Sequence, residues 1–144
     1  MRALGALVAV AVFAWAGCEG EPTPPEAPQI KLDRSSLGFN QEFGSGTYLG
    51  TTTPNTLLVI NEGRQDLIIS SVTESGDTTS SFTIDSYTDT PIKYNDTPGA
   101  IRVNFRPRDA GIVTATMTIN SNAENAPSID VPLSGRGINP DGGQ

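Results

Sequence analysis

The chain contains no histidine. That absence removes the commonest general base, the usual catalytic triad and the commonest transition-metal ligand. It has one cysteine, Cys18, so no intramolecular disulfide can form. Lys31 and Lys93 are its only side-chain amines, and neither stands in a Ser-x-x-Lys spacing. No glycine-rich loop of phosphate-cradling pattern is present, and no second apolar run of comparable length follows the first sixteen residues. Positive charge is scarce, with 9 Lys and Arg against 16 Asp and Glu, for a formal net charge of −7. Phosphate recognition relies on clustered Lys and Arg, so nucleic acid is excluded as an expected partner. The same balance argues against docking on an anionic membrane surface by charge. Carboxylates alone remain for a glycosidase pair or a calcium site. Asp85 and Asp89 flank a loop, as do Glu74 and Asp77, but neither pair follows the Asp-x-Asp-x-Asp-Gly pattern; they read as solvated loop acids. The expectation is a protein that is not an enzyme and has no cofactor and no metal site.

What is present begins at the N-terminus. Arg2 precedes an uncharged run from Ala3 to Ala16 that ends in Trp15-Ala16-Gly17-Cys18. The run has the length of a signal h-region and is shorter than the roughly 20 residues a membrane-spanning helix needs. Ala16-Gly17-Cys18 resembles the end of a bacterial lipobox, with Trp15 where that motif has an aliphatic residue. The resemblance implies a signal peptide over residues 1–17 and lipidation of Cys18, which then becomes the mature N-terminus. An unpaired cysteine in an exported chain needs a reason, and lipidation supplies one. Acyl chains on Cys18 would make the membrane the first partner, since two or more chains anchor stably where one does not. The expected location is the bacterial cell envelope, at the outer membrane, on its periplasmic or surface face. Loss of residues 1–17 removes Arg2 and no acid, so the exported form is one unit more negative.

Residues 18–29 follow as a spacer. Pro22, Pro24, Pro25 and Pro28 bias it to extended polyproline II, a semi-rigid form of roughly 3.1 Å per residue. Residues 30–138 form one domain of ordinary size, and 139–144 a C-terminal tail. No stretch of the domain has a helical period. Ile101, Val103 and Phe105 alternate with polar residues; so do Val113, Ala115, Met117 and Ile119, and then Ile129, Val131 and Leu133. Strict alternation puts one set on a buried face and the other on a solvent face. Residues 56–61 and 67–72 are β-branched and nearly continuously apolar, and weaker strand signals lie at 36–39 and 82–84. Turn residues separate these segments at 61–63, 75–77, 97–99 and 108–111. The reading is an all-β, antiparallel sandwich of about seven to eight strands. Pro132 cannot donate to a ladder, so its strand is expected at an edge or with that position facing solvent.

The motifs run in a recognisable order. Leu37-Gly38-Phe39 opens, followed by Leu57-x-Val59-x-Asn61-x-Gly63, Leu67-x-Ile69, Phe82-x-Ile84 and Val103-x-Phe105-x-Pro107. Gly111, Met117-x-Ile119-x-Ser121-Asn122 and Val131-Pro132-Leu133-Ser134-Gly135-x-Gly137 close the set. Over residues 34–137 this resembles the bacterial immunoglobulin-like domains of the abnormal-spindle/hydin type. These are related to the major-sperm-protein fold and common in choice-of-anchor D surface proteins. The resemblance implies an immunoglobulin-like sandwich with interaction or spacer roles and no catalytic residues. Within the motifs, Asn61 and Gly63 suit a tight turn, Phe105 and Leu133 the core, Pro107 the end of a ladder, and Gly135 and Gly137 a terminal bend.

Parity gives one inference about a partner. If Leu57 and Val59 face the core, Leu58 and Ile60 face outward, and Ile68 points away from Leu67 and Ile69. Two outward apolar residues on one strand are a candidate partner surface; cover by a loop or by the N-terminal segment is the alternative. The preferred reading is a protein-binding or structural module that meets an envelope or surface protein, with strand addition at a sheet edge as one route. The alternative is a carbohydrate- or matrix-binding adhesin, for which Tyr48, Tyr87 and Tyr94 would have to be exposed and clustered.

Overall fold

The computed structural model describes residues 20–39 and 45–141. Cys18 and the signal segment lie outside the described residues. Among the described residues nine strands form: β1 (Ile30–Leu32), β2 (Leu37–Phe39), β3 (Thr47–Tyr48), β4 (Thr53–Asn61), β5 (Ile69–Ser75), β6 (Phe82–Tyr87), β7 (Gly99–Phe105), β8 (Gly111–Ser121) and β9 (Ser128–Ile138). One sheet, A, has the order β1-β4-β7-β6; the other, B, has the order β2-β9-β8-β5, with β3 also on β9. The two pack face to face as an immunoglobulin-like sandwich. Among the described residues no helix is long and apolar enough to cross a membrane.

The alternating segments become β7, β8 and β9, with Ile101, Val103, Phe105, Met117, Ile119, Val131 and Leu133 buried as the parity requires. Phe39, Phe82 and Phe105 meet at the centre of the core, with ring centroids 4.8–5.6 Å apart in tilted pairs. Offset, tilted aromatic pairs at these separations add to the stabilisation from buried area.

The expected pairing needs one amendment. Most ladders are antiparallel, but β2 and β3 run parallel to β9, with Leu37 opposite Leu133 and Thr47 opposite Gly137. The chain leaves sheet A after β1, crosses at residues 33–36 and joins sheet B as β2. What would be one opening strand is thus split between the sheets, which takes the count to nine. Pro132 sits in β9, an inner strand, yet both parts of its expectation are met locally. Its side chain is exposed, and the parallel partner begins only at Leu133.

Gly135 and Gly137 do not make a bend. Both lie in extended β9, where a side chain would have no room. A Cβ at Gly135 would stand 2.5 Å from the Phe105 ring, and one at Gly137 would stand 2.2 Å from the Asp109 carbonyl oxygen. The glycines are there for close approach.

Candidate functional site

β4 carries the residues that parity singled out. Leu57 and Val59 are fully buried, Leu58 is 37% exposed and Ile60 is half-buried. The two outward residues do not share one patch. Leu58 lines a shallow cleft with Arg34, Pro54, Asn55, Thr56 and Arg102. Ile60 lines a different one, between Pro22–Pro25 and the turn that holds Tyr94 and Pro98. The N-terminal segment therefore flanks Ile60 and leaves Leu58 open. Ile68 is also outward, at 42% exposed.

The edge of β4 beside Leu58 is closed to strand pairing. The Leu58 carbonyl accepts from the Asp33 N–H (3.1 Å), and the Leu58 N–H donates to Asp33 Oδ1 (2.9 Å). Position 58 therefore turns its backbone groups to the edge, and strand alternation turns those of 56 and 54 the same way. The Thr56 N–H is taken by Asn55 Oδ1 (2.8 Å), and Pro54 has no N–H. Asn55 Nδ2 also donates to the Gly38 carbonyl (2.8 Å), stitching sheet A to sheet B. Elsewhere β2 and β3 fill the outer side of β9. β5 is interrupted by an irregularity between Ile69 and Ser71, and β6 by another between Ile84 and Ser86. Capped donors, proline and bulges are how sheet edges resist addition of a foreign strand. Strand addition, one expected route, thus has little open edge to use, and the apolar side chain that β4 leaves open is Leu58.

Two side chains organise the turns. Asn61, at the end of β4, is 3% exposed. Its Nδ2 donates to the Gln65 (2.7 Å) and Ile92 (2.9 Å) carbonyls, and its Oδ1 accepts from the Gly63 (2.9 Å) and Gln29 (3.3 Å) N–H groups. Around it the chain from Pro25 to Ile30 lies between two turns. The Pro25, Glu26 and Gln29 carbonyls accept from the Arg64, Gln65 and Glu62 N–H groups, and the Pro28 carbonyl accepts from the Glu124 N–H. Asn125 exchanges a pair of 2.9 Å bonds with the Ile30 backbone. Gly63 is required by this approach, because a Cβ there would stand 1.9 Å from the Ala27 carbonyl oxygen. The last residues of the expected spacer are thus fastened to the domain.

Asp77 is the second hub, in the turn between β5 and β6. It was expected as a solvated loop acid; instead its carboxylate accepts from the Thr79 N–H (2.9 Å) and hydroxyl (2.8 Å), the Phe82 N–H (2.7 Å) and the Ser81 N–H. Burial by itself would raise its pKa. The donations from Phe82, Thr79 and Ser81 outweigh that and hold the carboxyl below its ordinary 3.8. Asp33 behaves alike: desolvation is outweighed by the Leu58 N–H and Arg34, and its pKa is lowered. Asp85 faces Arg102 and Asn104. Among the described residues no three His, Cys, Asp or Glu side chains come together as a metal-binding group.

The tyrosines do not form a platform. Tyr48 (52% exposed) is on β3, paired beside Ile138, while Tyr94 (37%) lies at the opposite end near Ile60; Tyr87 packs partly against the core.

The family assignment rests on residues 40–135, which match the family model described as "Protein of unknown function (DUF1573)". The chain belongs to the DUF1573 family. No curated protein matches it by sequence. Among solved structures, this DUF1573 chain is similar to the ASH/PapD-like domain 7 of human CEP192. Identity is 18%, with a TM-score of 0.57, over 96% of this chain and 98% of that one. It is similar also to a protein of unknown function from Porphyromonas gingivalis W83 (19% identity, TM-score 0.60, 81% of this chain and 50% of that one). A third likeness is to part of the secreted serine protease VesC from Vibrio cholerae (12%, 0.51, 78% of this chain and 23% of that one). At these identities the likeness is one of fold: the chain is an immunoglobulin-like sandwich similar to PapD-like domains.

Proposed function

We propose that this chain is an exported, lipid-anchored and non-catalytic module, of the abnormal-spindle/hydin type, that binds another protein of the bacterial envelope. Residues 1–17 direct export, Cys18 carries the lipid, and the face of sheet A around Leu58 meets the partner. The observation that carries the reading is Leu58 itself: a large apolar side chain in the open, on a strand whose edge donors are all removed or occupied. With the edge blunted, contact by the face is the route that needs no rearrangement. The fastening of residues 25–30, with Pro22–Pro24 lying along the cleft at Ile60, leaves little spacer beyond the domain, so the domain stands close to the membrane. The anchor raises local concentration, and a weak contact then suffices.

Two measurements test this. The mass of the mature N-terminal peptide from membranes is expected to show cleavage before Cys18 and acyl chains on its thiol; an unmodified Cys18 sinks the anchor. In-cell crosslinking from a photoreactive residue at position 58, with position 60 in parallel, is expected to yield one dominant protein adduct, stronger from 58. Absence of any protein adduct from either position removes the Leu58 face as the docking surface.

A further inference from the structure

The end of the sandwich farthest from residues 25–29 holds a cleft of about 580 Å³ lined by Gly50, Ser80, Thr83, Arg106, Pro107 and Arg108. β4 runs between the two ends, a distance of roughly 26 Å at 3.3 Å per residue. Four of the eight cations among the described residues face a carboxylate elsewhere. Lys31 sits against Glu62, Arg34 against Asp33, Arg64 against Glu26 and Arg102 beside Asp85. Arg106 and Arg108 are exposed, and among the described residues neither has a carboxylate within ion-pair distance. In a chain of 16 acids, two guanidiniums on one cleft that no described carboxylate meets mark where a carboxylate from outside would be welcome.

The cleft is also built. Arg106 Nε donates to the Gly50 carbonyl (2.9 Å), which fixes the guanidinium plane and leaves its terminal nitrogens to form a two-pronged contact. Pro107 is buried between the two arginines and holds the chain at that level, and the Gly50 N–H donates to its carbonyl (3.0 Å). Ser80, also in the lining, stands in the left-handed region, φ 52°, where a non-glycine residue is uncommon. The Asp77 carboxylate, bonded on both sides of it to Thr79 and Ser81, keeps it there. The Thr83 side chain faces outward on β6.

We infer that this cleft is a second binding site, which takes a carboxylate-bearing stretch of an acidic protein. It goes beyond the Leu58 surface and needs no membrane anchor. A space of this size exceeds one small anion and suits two acidic side chains on a short segment. The same end carries Ile112 at 75% exposed and Tyr48 at 52%, apolar and aromatic contacts that a protein partner uses and a free anion does not. A long polyanion would meet the net −7 of the whole molecule. A short acidic segment seated in the cleft is screened from distant charges beyond about 10 Å at 0.1 M salt.

The test uses the full chain purified in detergent micelles at 0.1 M salt, titrated calorimetrically with a terminally blocked hexaglutamate peptide and, separately, with inorganic phosphate. Saturable binding of the peptide is expected. Arg106→Gln together with Arg108→Gln is expected to weaken it at least tenfold with the melting temperature held. Arg108→Gln alone should weaken it several-fold, and Lys93→Gln, an exposed cation at the other end, should leave it unchanged. No saturation, equal binding by the double variant, or equal loss in Lys93→Gln would overturn the site. Phosphate that binds as tightly as the peptide and displaces it would overturn the acidic-segment assignment and leave a small-anion site.

Discussion

Asn61 and Asp77 each gather a turn around one side chain, yet they do it with different chemistry. Asn61 is a neutral amide, 3% exposed, that both donates and accepts. Its four bonds tie together pieces of chain from residues 29, 63, 65 and 92. Asp77 is a partly buried carboxylate that accepts from within residues 79–82, closing a single local turn. A charge at the Asn61 position would have to be desolvated beside two carbonyls, which is costly; at Asp77 every neighbour is a donor, so ionisation is favoured. Where chain segments distant in sequence must be joined, a group with both donor and acceptor is needed. Where one turn of N–H groups must be capped, an acceptor alone is enough.

Substitutions at the two hubs should separate them. Asn61→Ala leaves two carbonyls and two N–H groups short of partners in a buried place, and about 3 kcal/mol of stability should be lost in urea denaturation. Asn61→Asp sharpens the contrast. Its carboxyl would face the Gln65 and Ile92 carbonyls, so its folded pKa should rise. The variant should then be most stable below the unfolded value and weaken as pH climbs through the folded one. Gly63→Ala forces a Cβ into the Ala27 carbonyl and should cost about 2–3 kcal/mol, with new proteolytic cleavage between residues 20 and 29. Asp77→Ala should leave that cleavage pattern unchanged.

Asp77→Ala is expected to cost less, about 1–2 kcal/mol at pH 7, because the carboxylate retains solvent contact. The sign with pH is opposite to that of Asn61→Asp. The Asp77 pKa is lowered from 3.8 in the folded chain, so its contribution is complete above that value and fades as pH falls through the folded one. Wild type and Asp77→Ala should therefore converge in stability under strong acid; persistence of the full gap there would mean that the turn does not depend on the charge. The smallest effect belongs to the Leu58 face. Leu58→Ser should change stability by less than about 1 kcal/mol while removing the position-58 partner in co-purification. A large loss of stability would make Leu58 part of the core.

The legible part of the fold is that carried by parity. Alternation in β7, β8 and β9 reported which side chains are buried, and the apolar run through residues 56–61 placed Leu58 outward and Leu57 inward. Pro107 was legible as a ladder end because a missing N–H has a local meaning. What parity does not carry is which strand lies beside which. The split of the opening strand into β1 and β2, and the parallel seat of β2 and β3 on β9, depend on pairs about a hundred residues apart, such as Leu37 with Leu133. Gly135 illustrates the gap: its composition suggested a bend, but its reason is the Phe105 ring across the sandwich.

The site divides in the same way. That Leu58 and Ile60 point outward follows from a period of two and the pleat of one strand, which are local properties. That Pro22–Pro25 flank Ile60 and not Leu58 follows from where the spacer folds back, and nothing in the spacer's own composition says so. Arg106 and Arg108 were visible as residues but not as a pair that no described carboxylate meets, because charge matching is decided by neighbours brought from elsewhere in the chain. The sequence by itself determined an all-β chain and its buried faces, since burial parity is written in consecutive residues. Only the tertiary structure decided the sheet order, the closed edges, the fastening of residues 25–30 and the placing of two arginines away from every described carboxylate. Each of these is a contact between segments distant in sequence, settled by steric fit and by which polar groups find partners.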